Sequence, residues 1–164
     1  MKMLKRILSQ WHSFVLWLLV STLFWSWIFT FVTDTSPEKK VTVYCKVPEV
    51  QDVALAAALE EQMPAGLRMI KVHSFDYVMF GLEAFYQGDV FIVPASEIEN
   101  YADVLAPLEG ERGMKAYDAA SGRGIASGYI RYGDEDYYLY LGSGSAHLED
   151  GKAQAVAWQL LMME

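Results

Sequence analysis

Ser13 to Val32, SFVLWLLVSTLFWSWIFTFV, is a run of twenty residues without a charge. Such a run leaves the chain few options. Wound as an α-helix it is about 30 Å long, which matches the hydrocarbon core of a bilayer. Lys2, Lys5 and Arg6 precede it, and no acidic residue occurs before Asp34. Positive residues stay on the cytoplasmic side. The distribution therefore predicts residues 1–12 as a cytoplasmic N-terminus, 13–32 as a transmembrane helix and the remainder outside. Trp11, Trp25 and Trp27 fall where interfacial belts form, whereas Trp17 lies too near the centre for that role. A cleaved signal peptide has a shorter apolar region and small residues before the cut; here the run is long and bulky, and TFVTDTSPEKK offers a poor cleavage site. A lipid-anchored form needs a cysteine just after the apolar run, and the lone cysteine, Cys45, comes thirteen residues after Val32. The reading is an uncleaved single-pass anchor.

Residues 33–40 are polar with a proline and read as a linker. Residues 41–164 suffice for one domain with its own core. All 21 acidic residues but only 10 of the 13 basic ones follow Val32, so this part carries a net charge of −11. An exterior that acidic argues against nucleic acid and anionic lipid as partners. One cysteine forms no internal disulfide, and Cys45 sits in an apolar strand pattern, as a buried thiol does.

Three strand–helix pairs follow in order. VTVYCKV (41–47) is β-branched and aromatic. After Pro48, residues 49–63 place Val53, Ala56, Leu59 and Met63 at helical spacing, and Pro64 and Gly66 end the helix. LRMIKVH (67–73) is a second strand, residues 76–87 a short apolar helix, and 89–93 a third strand, apolar throughout from Val90 to Val93. Ser96 with Glu99 three residues on fits a capping box for a third helix reaching about Leu105. This alternation predicts a parallel sheet with right-handed crossovers, and a continuous apolar strand predicts burial on both faces. Residues 109–124 carry no assignable pattern. Residues 125–132 and 137–142 flank GDED and read as a hairpin. The C-terminal segment reads as a helix with Ala155, Trp158, Leu161 and Met162 on one face. The chain is thus read as α/β: an N-terminal transmembrane helix, then a single three-layer domain with a mainly parallel sheet plus an antiparallel C-terminal hairpin.

The segment GDVFIVPASEIENYADVLAPL resembles a recurring segment of the extracellular solute-binding proteins of ABC importers, the type 2 periplasmic-binding fold. The corresponding positions are Asp89 to Phe91, Tyr101, and Leu105 to Leu108. Tyr138 to Leu141, Ser145, His147 and Ala153 to Leu161 resemble that family's late aromatic strand, Ser-x-His turn and alanine-rich helix. Residues 41–63 look like its first strand and helix. The resemblance implies an extracytoplasmic binding module on a bacterial cell membrane, accessory to solute uptake, with a transporter subunit as partner. Members of the family are roughly twice this length and close two lobes around a ligand. This chain has room for one lobe, and half a cleft implies weak solute binding at best. The second reading is a degenerate lobe serving as a structural or protein-interaction domain.

No catalytic constellation, P-loop or zinc spacing is present in the sequence, and no cofactor is implied. His12, His73 and His147 are scattered, and His73, ending a strand, reads as a structural histidine. Ser145 and His147 fit a turn before a helix better than a catalytic dyad. Asp134, Glu135 and Asp136 read as a solvated turn rather than a calcium loop. Ligands of parallel sheets bind beyond the carboxyl ends of the strands. That rule selects Lys46 and Pro48, Ser74 and Asp76, and Ala95 and Ser96 as the candidate binding positions.

Overall fold

Lys2–Thr33 forms one helix, α1, of 32 residues. Within it Trp11–Phe29 is long and apolar enough to cross a membrane, with a mean hydropathy of 1.5. Trp17, Leu23 and Phe29 each present 70% or more of their surface, a side-chain belt suited to lipid. The Thr22 hydroxyl donates back to Leu18 O at 2.6 Å, so this polar atom is satisfied inside the helix. The helix is compatible with single-pass anchoring. The computed structural model describes residues 2–33, 36–75, 83–108 and 113–163. The chain divides into two units at Thr35/Ser36, taken separately below.

The second unit is an α/β sandwich on one mixed sheet. Its elements are β1 (Lys40–Cys45), β2 (Glu49–Val50), α2 (Asp52–Glu60), β3 (Met69–Ser74), α3 (Glu83–Tyr86), β4 (Val90–Pro94), β5 (Leu105–Ala106), β6 (Met114–Asp118), β7 (Arg123–Gly124), β8 (Ile130–Arg131), β9 (Tyr137–Gly142) and α4 (Lys152–Met162). The main sheet runs β3-β1-β4-β9-β6-β7. The first three strands are parallel. Strand β9 lies antiparallel between β4 and β6, with β5 continuing the β6 side.

Alternation along the strands divides the core in two. Val41, Val43, Cys45, Val90, Ile92, Leu139 and Leu141 join an aliphatic cluster with Leu55, Leu59 and Leu160 of the helices. Tyr44, Phe91, Val93 and Tyr140 point the other way, into an aromatic cluster with Phe75, Phe85 and Tyr101. Every residue from Val90 to Val93 is at most 1% exposed, as a strand covered on both faces requires. Each such side chain contributes about 1.5–3 kcal/mol. The rings interlock: Tyr44 stacks on Phe91 at 5.5 Å and meets Phe75 edge-on at 5.9 Å.

Several local expectations are corrected. Val53 is 79% exposed, and α2 buries Leu55 and Leu59 instead. The chain spends Glu49–Val50 pairing with β8, so the helix starts only at Asp52. Two residues before Leu55, Val53 faces the opposite side. Ser96 caps no helix: Ala95–Tyr101 is a 3-10 helix without a side-chain cap, and the Ser96 N–H donates to Glu135 Oε2 at 3.2 Å. Residues 125–132 do not form a hairpin with 137–142. Ile125 to Ile130 is held in turns, including Ile130 N–H to Ala126 O at 2.9 Å, and β8 goes to β2. The unassigned stretch supplies β6 and β7. In α4 the buried stripe is Ala153, Val156, Ala157 and Leu160, while Met162 is 77% exposed. Of the expected face, Trp158 and Leu161 pack half-buried against the same core, whereas Ala155 and Met162 are exposed. Of the expected helix 76–87, residues 76–82 lie outside the described residues, and Glu83–Tyr86 is helical.

Candidate functional site

After β1 the chain passes through α2 to β3 on one side and later returns to β4 on the other, so the topological switch point lies between β1 and β4. The register sets Cys45 beside both Ser74 and Ile92, which aligns the three carboxyl ends. Lys46 leaves β1 there, its N–H bonded to Ile92 O at 2.8 Å, while Phe75 N–H bonds Cys45 O at 3.2 Å. The Lys46 ammonium is 3.0 Å from Glu97 Oε2 and donates to the Tyr101 hydroxyl at 3.2 Å. Tyr101 in turn donates to Glu97 at 3.3 Å. The ammonium also lies over the Phe75 and Tyr101 rings, at 5.9 and 5.7 Å. Burial alone lowers the Lys46 pKa, but the bonds to Glu97 and Tyr101 outweigh it and hold the group above its ordinary range. Burial raises the Tyr101 phenol despite Lys46. The rim therefore carries a charge already neutralised within the fold.

Ser74, Ala95 and Ser96 are exposed around this centre, and Pro48 is exposed beyond Lys46 toward β2. Asp76 lies outside the described residues. The fold thus gathers Lys46, Ser74, Ala95 and Ser96 at one end of the sheet. Ala95 N–H is taken by Asp136 O at 2.8 Å, which fastens the rim to the turn before β9. Sequence reading missed Phe75, Glu97 and Tyr101. Glu97 and Tyr101, four residues apart on one helical segment, offered the only local signal.

A second polar network lies at the other end of β4. Asp89, 3% exposed, accepts Thr42 N–H at 2.7 Å and a short hydrogen bond from the Ser145 hydroxyl. Burial raises its pKa, against the pull of Ser145 and Thr42. His147, 1% exposed, places Nδ1 3.0 Å from Asp150 Oδ2 and Nε2 2.9 Å from Pro37 O. Ser145 accepts the His147 backbone N–H at 3.0 Å. The Ser145 proton goes to Asp89, and both ring nitrogens of His147 have other partners. The pair is a latch, as the turn reading expected, rather than a nucleophile and its base. Gly142 makes the latch reachable: a side chain there would strike the Gly88 carbonyl.

Two cavities bear on the choice of site. One, of about 580 Å³, lies between β6, β7 and the end of α4, where Lys115 is spent on Asp118 at 3.3 Å and Asp136 at 2.9 Å. The other, of about 520 Å³, lies over β1 and β3. No cluster of three or more metal-ligating side chains occurs among the described residues. No family model matches the chain, and no curated protein or solved structure matches it.

Proposed function

We propose that the protein is a membrane-anchored extracytoplasmic binding module whose rim of strand ends docks on a partner membrane protein, such as a subunit of a solute importer. The observation that carries this reading is the internal pairing of Lys46 with Glu97 and Tyr101 at the switch point, ringed by exposed Ser74, Ala95 and Ser96. A rim whose central charge is already paired costs less to desolvate against a protein than one with a lone charge. It offers a free solute only one wall. A single lobe leaves one side of a ligand wet, so a solute at the rim binds at about 0.1 mM or weaker. Glu135, which accepts the Ser96 N–H, adds an acidic group at the rim, and the domain's net negative charge favours a basic partner surface. The resemblance to solute-binding lobes supports the same assignment, with α1 as the tether and the domain outside.

The test is photo-crosslinking in intact membranes from a reactive residue placed at Ser96 or Ser74. Capture of one integral membrane protein from both positions, weakened by salt and absent from the outer α4 position Gln154, is the expected result. Equal capture from Gln154, or none from the rim, would contradict the docking role.

A further inference from the structure

The cavity of about 520 Å³ is within the size range of small-molecule sites and shares no lining residue with the rim. Its floor is one face of two paired strands. Thr42 stands beside Lys71 and Tyr44 beside His73 in the parallel register. Alternation then places Lys40, Thr42 and Tyr44 on the same face as Lys71 and His73. Lys40 is a diagonal neighbour of Lys71, about 7–8 Å away between Cα atoms, so both ammonium groups can reach one ligand. Gln87 adds an amide from the end of the helix above.

The charge pattern is what makes this cavity informative. The unit carries a large excess of acid, and Lys46, Lys115, Arg131 and Lys152 each have an acidic partner. Among the described residues Lys39, Arg68 and Arg123 have none but are exposed, whereas Lys40 and Lys71 have none and are half-buried. Two neighbouring cations with no carboxylate in direct contact repel each other, which a bound anion would relieve; Asp89 attracts Lys40 only at longer range. Asp89 is the one carboxylate in the lining, and its two oxygens are engaged by Ser145 and Thr42. Burial, then Lys71, push His73 toward its neutral form; Lys40 adds to this and Asp52 opposes it. Both lysines therefore act on the same ring, and a neutral imidazole still has one N–H to donate.

We propose that this cavity binds a small solute bearing a carboxylate or phosphate group, held by Lys40 and Lys71 with His73 and Gln87 as neutral donors. The site is independent of the docking rim, and its failure would leave that reading untouched. The experiment titrates the full chain in neutral detergent micelles with inorganic phosphate and, separately, with succinate. The His73 ring is followed by NMR, against sodium chloride at matched ionic strength. A saturable shift of the His73 resonances with either anion, and a rise in its apparent pKa, is expected, with His12 unmoved. The anion that binds identifies the group. Lys71→Gln should weaken binding roughly ten-fold or more, and Lys40→Gln similarly, because each removes a charge-assisted bond. Lys115→Gln, in the other cavity, should leave it unchanged. No saturable shift with either anion, a response reproduced by chloride, or unaltered affinity in both lysine variants would overturn the proposal.

Discussion

Glu97 and Tyr101 hold Lys46 through three mutual contacts of 3.0 to 3.3 Å, yet the ion pair is not deeply buried: its side chains are 18% and 33% exposed. Solvent screening therefore limits what Glu97 adds. Glu97→Gln should cost about 0.5–1 kcal/mol, whereas Tyr101→Ala, which empties a site 1% exposed in the aromatic cluster, should cost about 3–5 kcal/mol. Tyr101→Phe should fall near 1 kcal/mol, since it removes only the hydroxyl. Urea midpoints of the three variants check the order, and a Glu97→Gln loss as large as that of Tyr101→Ala would contradict it. Lys46 was legible from sequence because it follows a β-branched run. Its partners were not, because contacts between residues some fifty positions apart leave no local pattern. Cys45 shows the opposite case. Its place within the apolar strand foretold a fully buried thiol, and burial pushes it up to about 12.

At the scale of elements, β4 tests the sheet. Ile92 is 0% exposed and lies between β1 and β9. Ile92→Asp buries a charge without a partner and should cost about 3–5 kcal/mol, a large part of a domain's stability. Ser127→Asp, at an exposed turn position, should change the thermal midpoint little. Similar small shifts for both would mean that β4 is not central. This strand could be read from sequence because an apolar run covered on both faces needs no knowledge of its neighbours. The pairing of β9 could not. Tyr137 to Leu141 has Val90 to Pro94 on one side and β6 on the other, and both are remote in the chain, so adjacency to 125–132 misled. The face of α4 was read only in part: Trp158 and Leu161 do pack against the core, but the fully buried stripe is the adjacent Ala153, Val156, Ala157 and Leu160.

For the whole molecule, order of elements and composition carried most of the information. Alternating strands and helices foretold an α/β sheet, and the charge-free run foretold a helix able to span a membrane. The location of usable space was not legible, because the rule of strand carboxyl ends picks a rim whose lysine is internally satisfied. The cavities over β1 and β3 and beside β6 and β7 share no lining residue with that rim. The docking proposal requires that residues 36–164 stand outside the membrane on an intact tether. Protease treatment of intact protoplasts, followed with an epitope at the C-terminus and compared with lysed cells, tests this directly. The account predicts loss of the domain from intact protoplasts, leaving a membrane-bound fragment that contains α1. A domain protected until lysis, or a mature chain beginning after Val32, would contradict it.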